Sequence, residues 1–188
     1  MALIVDQVTD RLKRLSRALK DTAALNKVIA NATSELFKSH FAARAMVERN
    51  KFGKPPTFWK RMRGSVRSFS SASTAGVEMY RPVAQRYYGG TIRPTGGKRW
   101  LTIPINKLAY RKSARSFEDL SIYTSHIGNK FLSMETGKGK KRKTVLMYLL
   151  KESVTQKGDK TVLPSKSDIS ASSKAALKMY LDAKTRTA

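Results

Sequence analysis

Few residues of this chain are spaced to make or break bonds. The two histidines, His40 and His126, lie on segments of different character. His40 falls at the edge of a predicted helix and reads as structural, while His126 sits in a stretch with no clear period. Neither belongs to a His-Glu-x-x-His cluster, the spacing that sets metal ligands on one helix face. The pairs Gly53-Lys54, Gly97-Lys98, Gly137-Lys138 and Gly139-Lys140 are each followed by something other than serine or threonine. A phosphate-cradling nucleotide loop needs that hydroxyl, so the motif is missing. Of thirteen carboxylates only Glu118 and Asp119 are adjacent, and neighbours on a chain do not converge on one substrate unless a loop folds to make them. Nothing favours a serine–lysine pair. With 0 cysteines, thiolate metal sites and disulfides are excluded. The expectation is a protein with no catalytic residue, no metal and no cofactor.

What the chain has in quantity is positive charge. Lysine and arginine number 38 against 13 acids, a net charge of +25. Charge on this scale repels itself in a compact state and seeks anions. It is also clustered. Arg44 to Arg67 holds eight basic residues and one acid, Glu48; Arg81 to Arg115 holds nine and none; Lys138 to Lys143 holds five in six positions. Any one cluster reads as a solvated face. The three together call for a partner with fixed negative charge, either DNA or an acidic protein ring.

The elements that must position these residues follow from periodicity. Length of 188 residues and 40% hydrophobic content suit one α+β domain over 1–188. Its expected parts are a helical part (1–66), a sheet part (67–155) and a C-terminal segment with a helix (156–188). Val5, Val8, Leu12, Leu15 and Leu19 predict an amphipathic helix over 3–20. Asp21-Thr22 reads as a break and a new N-cap. A second helix follows over 23–49, with Leu25, Val28, Ile29, Ala32, Leu36 and Phe37 inward. Thr57 is the expected cap of a short helix burying Phe58, Trp59 and Met62. Ser68 to Ser73 reads as a turn, Gly76 to Tyr80 as a strand, and Pro82 to Tyr88 as a helix closed by Gly89 in the left-handed conformation. Thr91 to Ile105 predicts a protruding hairpin turning at Pro94, Gly96 and Gly97. Leu101, Ile103 and Ile105 share one face of it and Trp100 and Thr102 the other, with Pro104 marking an edge. Residues 106–128 read as a long loop, Phe131 to Met134 and Thr144 to Val154 as strands joined by the basic block. The last helix, Ser170 to Lys184, is expected to turn Ala175, Ala176, Leu177, Tyr180 and Leu181 toward the body. Ala2-Leu3-Ile4-Val5 is too short for a signal-peptide core, and no run approaches a membrane span. The expectation is a soluble protein made in the cytoplasm, with no membrane contact.

Gly89-Gly90-Thr91-Ile92-Arg93-Pro94, a short spacer, a basic residue and then Leu101-Thr102-Ile103-Pro104 resembles the central signature of tailed-bacteriophage virion morphogenesis proteins. These are neck or tail-completion proteins between the head connector and the tail tube. His40-Phe41, Asn50-Lys51-Phe52-Gly53-Lys54-Pro55, Phe58-Trp59 and Tyr148 to Val154 are similar to the family's flanking pattern, so the likeness covers residues 30 to 155. The chain departs from it after Val154: Gln156-Lys157-Gly158-Asp159 stands where family members often carry a proline-aromatic segment. The resemblance implies a structural subunit of a homo-oligomeric ring in the virion, assembled in the host cytoplasm. It would be held by its own copies, the connector and the tail-tube proteins, with DNA in the channel.

Two sets of contact residues follow. Gly89, Gly90, Thr91, Ile92, Arg93, Pro94 and Trp100, with the loop over 107–128, are expected between subunits or on the connector. Arg86, Lys98, Arg99, Lys138, Lys140, Lys141, Arg142 and Lys143 are expected on the anionic partner. The alternative function is sequence-independent nucleic-acid binding through these patches, with Tyr87, Tyr88, Trp100 and Tyr148 beside them and aromatic rings stacking on bases.

Overall fold

The computed structural model describes residues 2–54, 56–137, 139 and 142–186, with side chains from Val8 onward. Pro55, Lys138, Lys140 and Lys141, and the side chain of Val5, lie outside the described residues. The fold is α+β, in two compact units: residues 1–88 with 159–188, and residues 89–158. These limits differ from the three parts expected from the sequence, because residues 67–88 belong with the helices.

In the helical unit α1 (Ala2–Lys20) and α2 (Thr22–Val47) are separated at Asp21, whose Oδ1 accepts the Ala24 N–H at 3.0 Å. That carboxylate satisfies one of the orphan donors of the new helix, as its sequence position implies. Helix α3 (Thr57–Ser65) is capped by Pro56, with no side-chain hydrogen bond, so Thr57 is its first residue and not the expected cap. Strands β1 (Arg67–Ser70) and β2 (Ala75–Glu78) form an antiparallel hairpin that packs on α2. The expected serine turn is therefore half strand, and the turn itself is held by Ser71 and Thr74. Helix α4 (Pro82–Tyr88) and the terminal α5 (Lys166–Arg186) complete the unit. Its core is Phe37, Phe41, Trp59, Met62, Val66, Val83 and Val162. Phe41 stacks on Trp59 at a centroid distance of 5.9 Å. On α2 the deepest positions include Ala30, Thr33 and Ser34, which the apolar pattern passes over; small side chains there permit close approach, and α5 packs against this helix. Ala175 on α5 is exposed, contrary to expectation, whereas Ala176, Leu177, Tyr180 and Leu181 are half-buried.

The sheet unit begins at β3 (Gly89–Ile92), which pairs antiparallel with β8 (Val154–Lys157). A four-stranded antiparallel sheet has the order β4 (Leu101–Pro104), β7 (Lys143–Lys151), β6 (Lys130–Thr136), β5 (Leu120–Thr124). The expected hairpin of 91–105 is corrected here: β3 and β4 do not pair with each other but join different sheets. Turn residues between two apolar runs do not fix the partner of each run: β3 lies against 154–157 and β4 against 148–151, successive segments of one stretch. The expected loop over 106–128 contains β5, and the expected single strand from Thr144 to Val154 is divided between β7 and β8. Gly89 has φ +79, and a Cβ there would meet the Gly158 nitrogen at 2.5 Å and the Gln156 oxygen at 2.6 Å. Only glycine fits where α4 turns into β3. Pro104 lies on an edge strand, as its missing donor requires.

Candidate anionic-partner interface

Between β4 and the end of β5 the chain is tied to the sheet from one side. Tyr148, 1% exposed, donates its hydroxyl to the Lys112 carbonyl at 3.0 Å and packs with Ala109, Phe117, Leu120 and Leu132. Burial raises the Tyr148 pKa, because the phenolate loses its water. Tyr148 is thus an anchor of the core and is not available to stack on a base. Met147 is the extra residue of a bulge in β7, since Leu132 pairs with Tyr148 and Ser133 with Leu146. Its carbonyl accepts the Ile105 N–H at 2.9 Å, which holds the chain as it leaves β4.

This anchoring positions a groove of about 350 Å³. Its lining includes the apolar Trp100, Leu132, Leu150 and Ile122 and the basic Lys98, Arg99 and Arg115. Trp100 also lines a neighbouring groove of about 450 Å³ with Lys130 and Lys151. The Lys130 ammonium is 4.9 Å from the Trp100 ring centroid and the Arg99 guanidinium 5.2 Å. Both cations rest on the π face of the indole, and among the described residues no carboxylate pairs with either, so their charge remains available to an anion. Of the expected residues, the structure brings Lys98, Arg99 and Trp100 together here. Arg115, Lys130 and Lys151 join them unforeseen. The alternation in Leu120-Ser121-Ile122-Tyr123-Thr124 was the signal that would have revealed β5, and with it the position of Lys130 beyond the turn.

The other expected residues sit elsewhere. Gly90 and Thr91 are exposed on β3 and Ile92 is half-buried; Thr91 Oγ1 lies 3.3 Å from Thr155 Oγ1 across the β3–β8 pair. Arg93 is exposed and Pro94 half-buried in the connection that follows. Arg142 makes an exposed ion pair with Glu135 at 3.5 Å, and Lys143 opens β7. Lys138, Lys140 and Lys141 are outside the described residues.

Arg86 belongs to the helical unit and is already engaged. Its Nη2 lies 3.0 Å from Glu48 Oε2, and its guanidinium is 4.6 Å from the Trp59 ring centroid. Glu48, the single acid of the first basic cluster, also accepts Trp59 Nε1–H at 2.7 Å, and its Oε1 forms an ion pair with Arg44 Nη2 at 2.6 Å. Arg44 reaches Asp159 at 3.1 Å. The Asp159 carboxyl is held below the ordinary range, first by the Thr161 hydroxyl donating at 2.6 Å, with the Thr161 N–H and Arg44 adding to it. His40 Nε2 lies 3.2 Å from the Thr161 carbonyl, which gives this histidine a fixed place on α2. Tyr87 and Tyr88 are met by the Lys160 ammonium at 4.0 and 4.8 Å. His126 is exposed in the β5–β6 turn.

Among the described residues no three histidine, aspartate or glutamate side chains come together as a metal site, and no helix is long and apolar enough to cross a membrane. Compared with family models, with curated proteins and with solved structures, the chain finds no match.

Proposed function

We propose that this protein is a structural subunit of the neck or tail of a tailed-bacteriophage particle. It works as one member of a homo-oligomeric ring between the head connector and the tail, and its surface charge faces an anionic partner. One observation carries the reading: the residues of the phage-like signature lie on strand edges. Thr91 and Ile92 stand on β3 of a two-stranded sheet, and Leu101 to Pro104 form the edge strand β4. Edge strands are the sites at which one chain adds to another. A ring requires head-to-tail contacts that close, and a sheet with two free edges supplies one surface of each kind. Probing purified tailed-phage particles with an antibody to this chain tests it. Label at the head–tail junction is expected; particles complete without the protein contradict the assignment.

A second reading is favoured by the Trp100 groove. Lys98, Arg99 and Arg115 line one of the two grooves that share Trp100, and Lys130 and Lys151, with Glu152, line the other; cations beside an aromatic ring are the composition that tracks a phosphate backbone without reading sequence. DNA affinity measured against salt separates the two. A binder neutralising six to ten phosphates loses about 10³ to 10⁵ in affinity between 50 and 200 mM, while a ring held by backbone pairing keeps its mass.

A further inference from the structure

The four-stranded sheet ends at β4 on one side and β5 on the other, and among the described residues neither edge hydrogen-bonds a further strand. The phase of each ladder fixes which groups face outward. Ser125 N–H donates to the Asn129 carbonyl at 2.9 Å, so the next bonded pairs are Tyr123 with Phe131 and Ser121 with Ser133. The backbone groups of Ile122 and Leu120 therefore point away from the sheet. On the other side Ile105 N–H donates to Met147, so Ile103 and Leu101 bond β7, and Thr102 and Pro104 point outward. Among the described residues no hydrogen bond reaches the outward backbone groups of Thr102, Pro104, Leu120 or Ile122.

The two edges match. Neighbouring strands alternate in direction across the four, so the β4 of a translated copy runs antiparallel to β5. Thr102 pairs with Leu150, Tyr148 two residues before it pairs with Leu132, and Leu132 pairs with Ile122. Thr102 and Ile122 thus share one face, and setting them opposite each other continues both faces of the sheet. In that register the Pro104 carbonyl meets the Leu120 N–H, and only the donor that proline lacks is left out. The edge of β5 carries none of the charges that usually protect a free edge; Ile122 is 67% exposed and Tyr123 44%. The same register sets Asp119 opposite Ile105 and Glu118 opposite Asn106 of the neighbour, next to Lys107. The one adjacent acid pair of a strongly basic chain then lies near a lysine.

We infer that subunits join head to tail by adding the β4 edge of one copy to the β5 edge of the next, with Thr102 opposite Ile122. This rests on the ring reading and names its contact. The absence of native cysteine makes cross-linking clean. Thr102→Cys and Ile122→Cys chains, mixed and oxidised, are expected to give disulfide dimers that neither gives alone, and the double variant a ladder ending at the ring size. Ile122→Pro removes an outward donor without touching the β6 ladder; it is expected to lose the ring while keeping the wild-type far-ultraviolet circular dichroism. Dimers from Ile122→Cys alone, or a ring that survives Ile122→Pro, overturn the inference. A closed ring with no Thr102–Ile122 bond overturns this pairing and leaves the ring reading standing. A chain that stays monomeric at every concentration overturns both.

Discussion

The helical unit and the sheet unit treat the same kind of charge in opposite ways. In the helical unit Arg44 and Arg86 converge on Glu48, Asp159 closes the group, and Trp59 lies against both guanidinium groups. The charge is consumed in holding α2, α4 and the segment around Thr161 together. In the sheet unit fifteen basic residues stand against four acids over 89–158. There Arg99 and Lys130 rest on Trp100, and the described ion pair of the unit is the exposed Arg142–Glu135 contact. Charge that is paired stabilises a fold, whereas Arg99 and Lys130 rest on an indole face with no carboxylate against them among the described residues.

Substitutions sharpen this contrast. The largest effect is expected from Trp59→Ala, which empties a fully buried ring site and removes the indole donor to Glu48; a loss of ~3–5 kcal/mol in the stability of the helical unit should appear in denaturant titration. Glu48→Ala leaves Arg44 and Arg86 facing each other without their acid. Because these side chains remain about a quarter exposed, the cost is expected near ~2 kcal/mol, below that of a fully buried pair. Lys98, Arg99 and Arg115 replaced together by serine should change stability by only ~0.5 kcal/mol each, since exposed positions carry little packing. They should instead flatten the salt dependence of anion binding by about one unit of slope per lost phosphate contact. Destabilisation as large as that of Glu48→Ala would break the contrast.

The smallest effects are those of pH, and they have opposite signs in the two units. Asp159 has a lowered pKa when folded, so its contribution is present above the unfolded value of about 3.9 and is lost as pH falls through the lowered one. Asp159→Asn should flatten that acid limb. Tyr148 has a raised pKa, so its contribution is present below about 10 and is lost as pH rises. Hydrogen exchange followed by residue should show acid loosening the helical unit first and alkali the sheet unit.

How much of this was legible in the sequence depended on range. Local signals held: Asp21 caps α2, Gly89 takes positive φ where α4 ends, and Pro104 lies on an edge. The Arg44–Glu48 pair follows from their spacing of four, but Arg86 and Asp159 arrive from 38 and 115 residues away, which no local pattern encodes. The same limit explains β3 and β4. Their turn chemistry suggested a hairpin, yet β3 pairs with 154–157 and β4 with 148–151, successive segments of one stretch, because cross-strand packing against β8 and β7 decides pairing and a turn alone does not. The groove was half visible, with Lys98, Arg99 and Trp100 adjacent in sequence, while Arg115, Lys130 and Lys151 needed the sheet to gather them.

If this chain works by being held among its own copies, native mass measurement of the purified protein, imaged in parallel by electron microscopy, decides it. A closed ring of fixed mass that withstands high salt is the predicted result. A free monomer that turns over a substrate would contradict it.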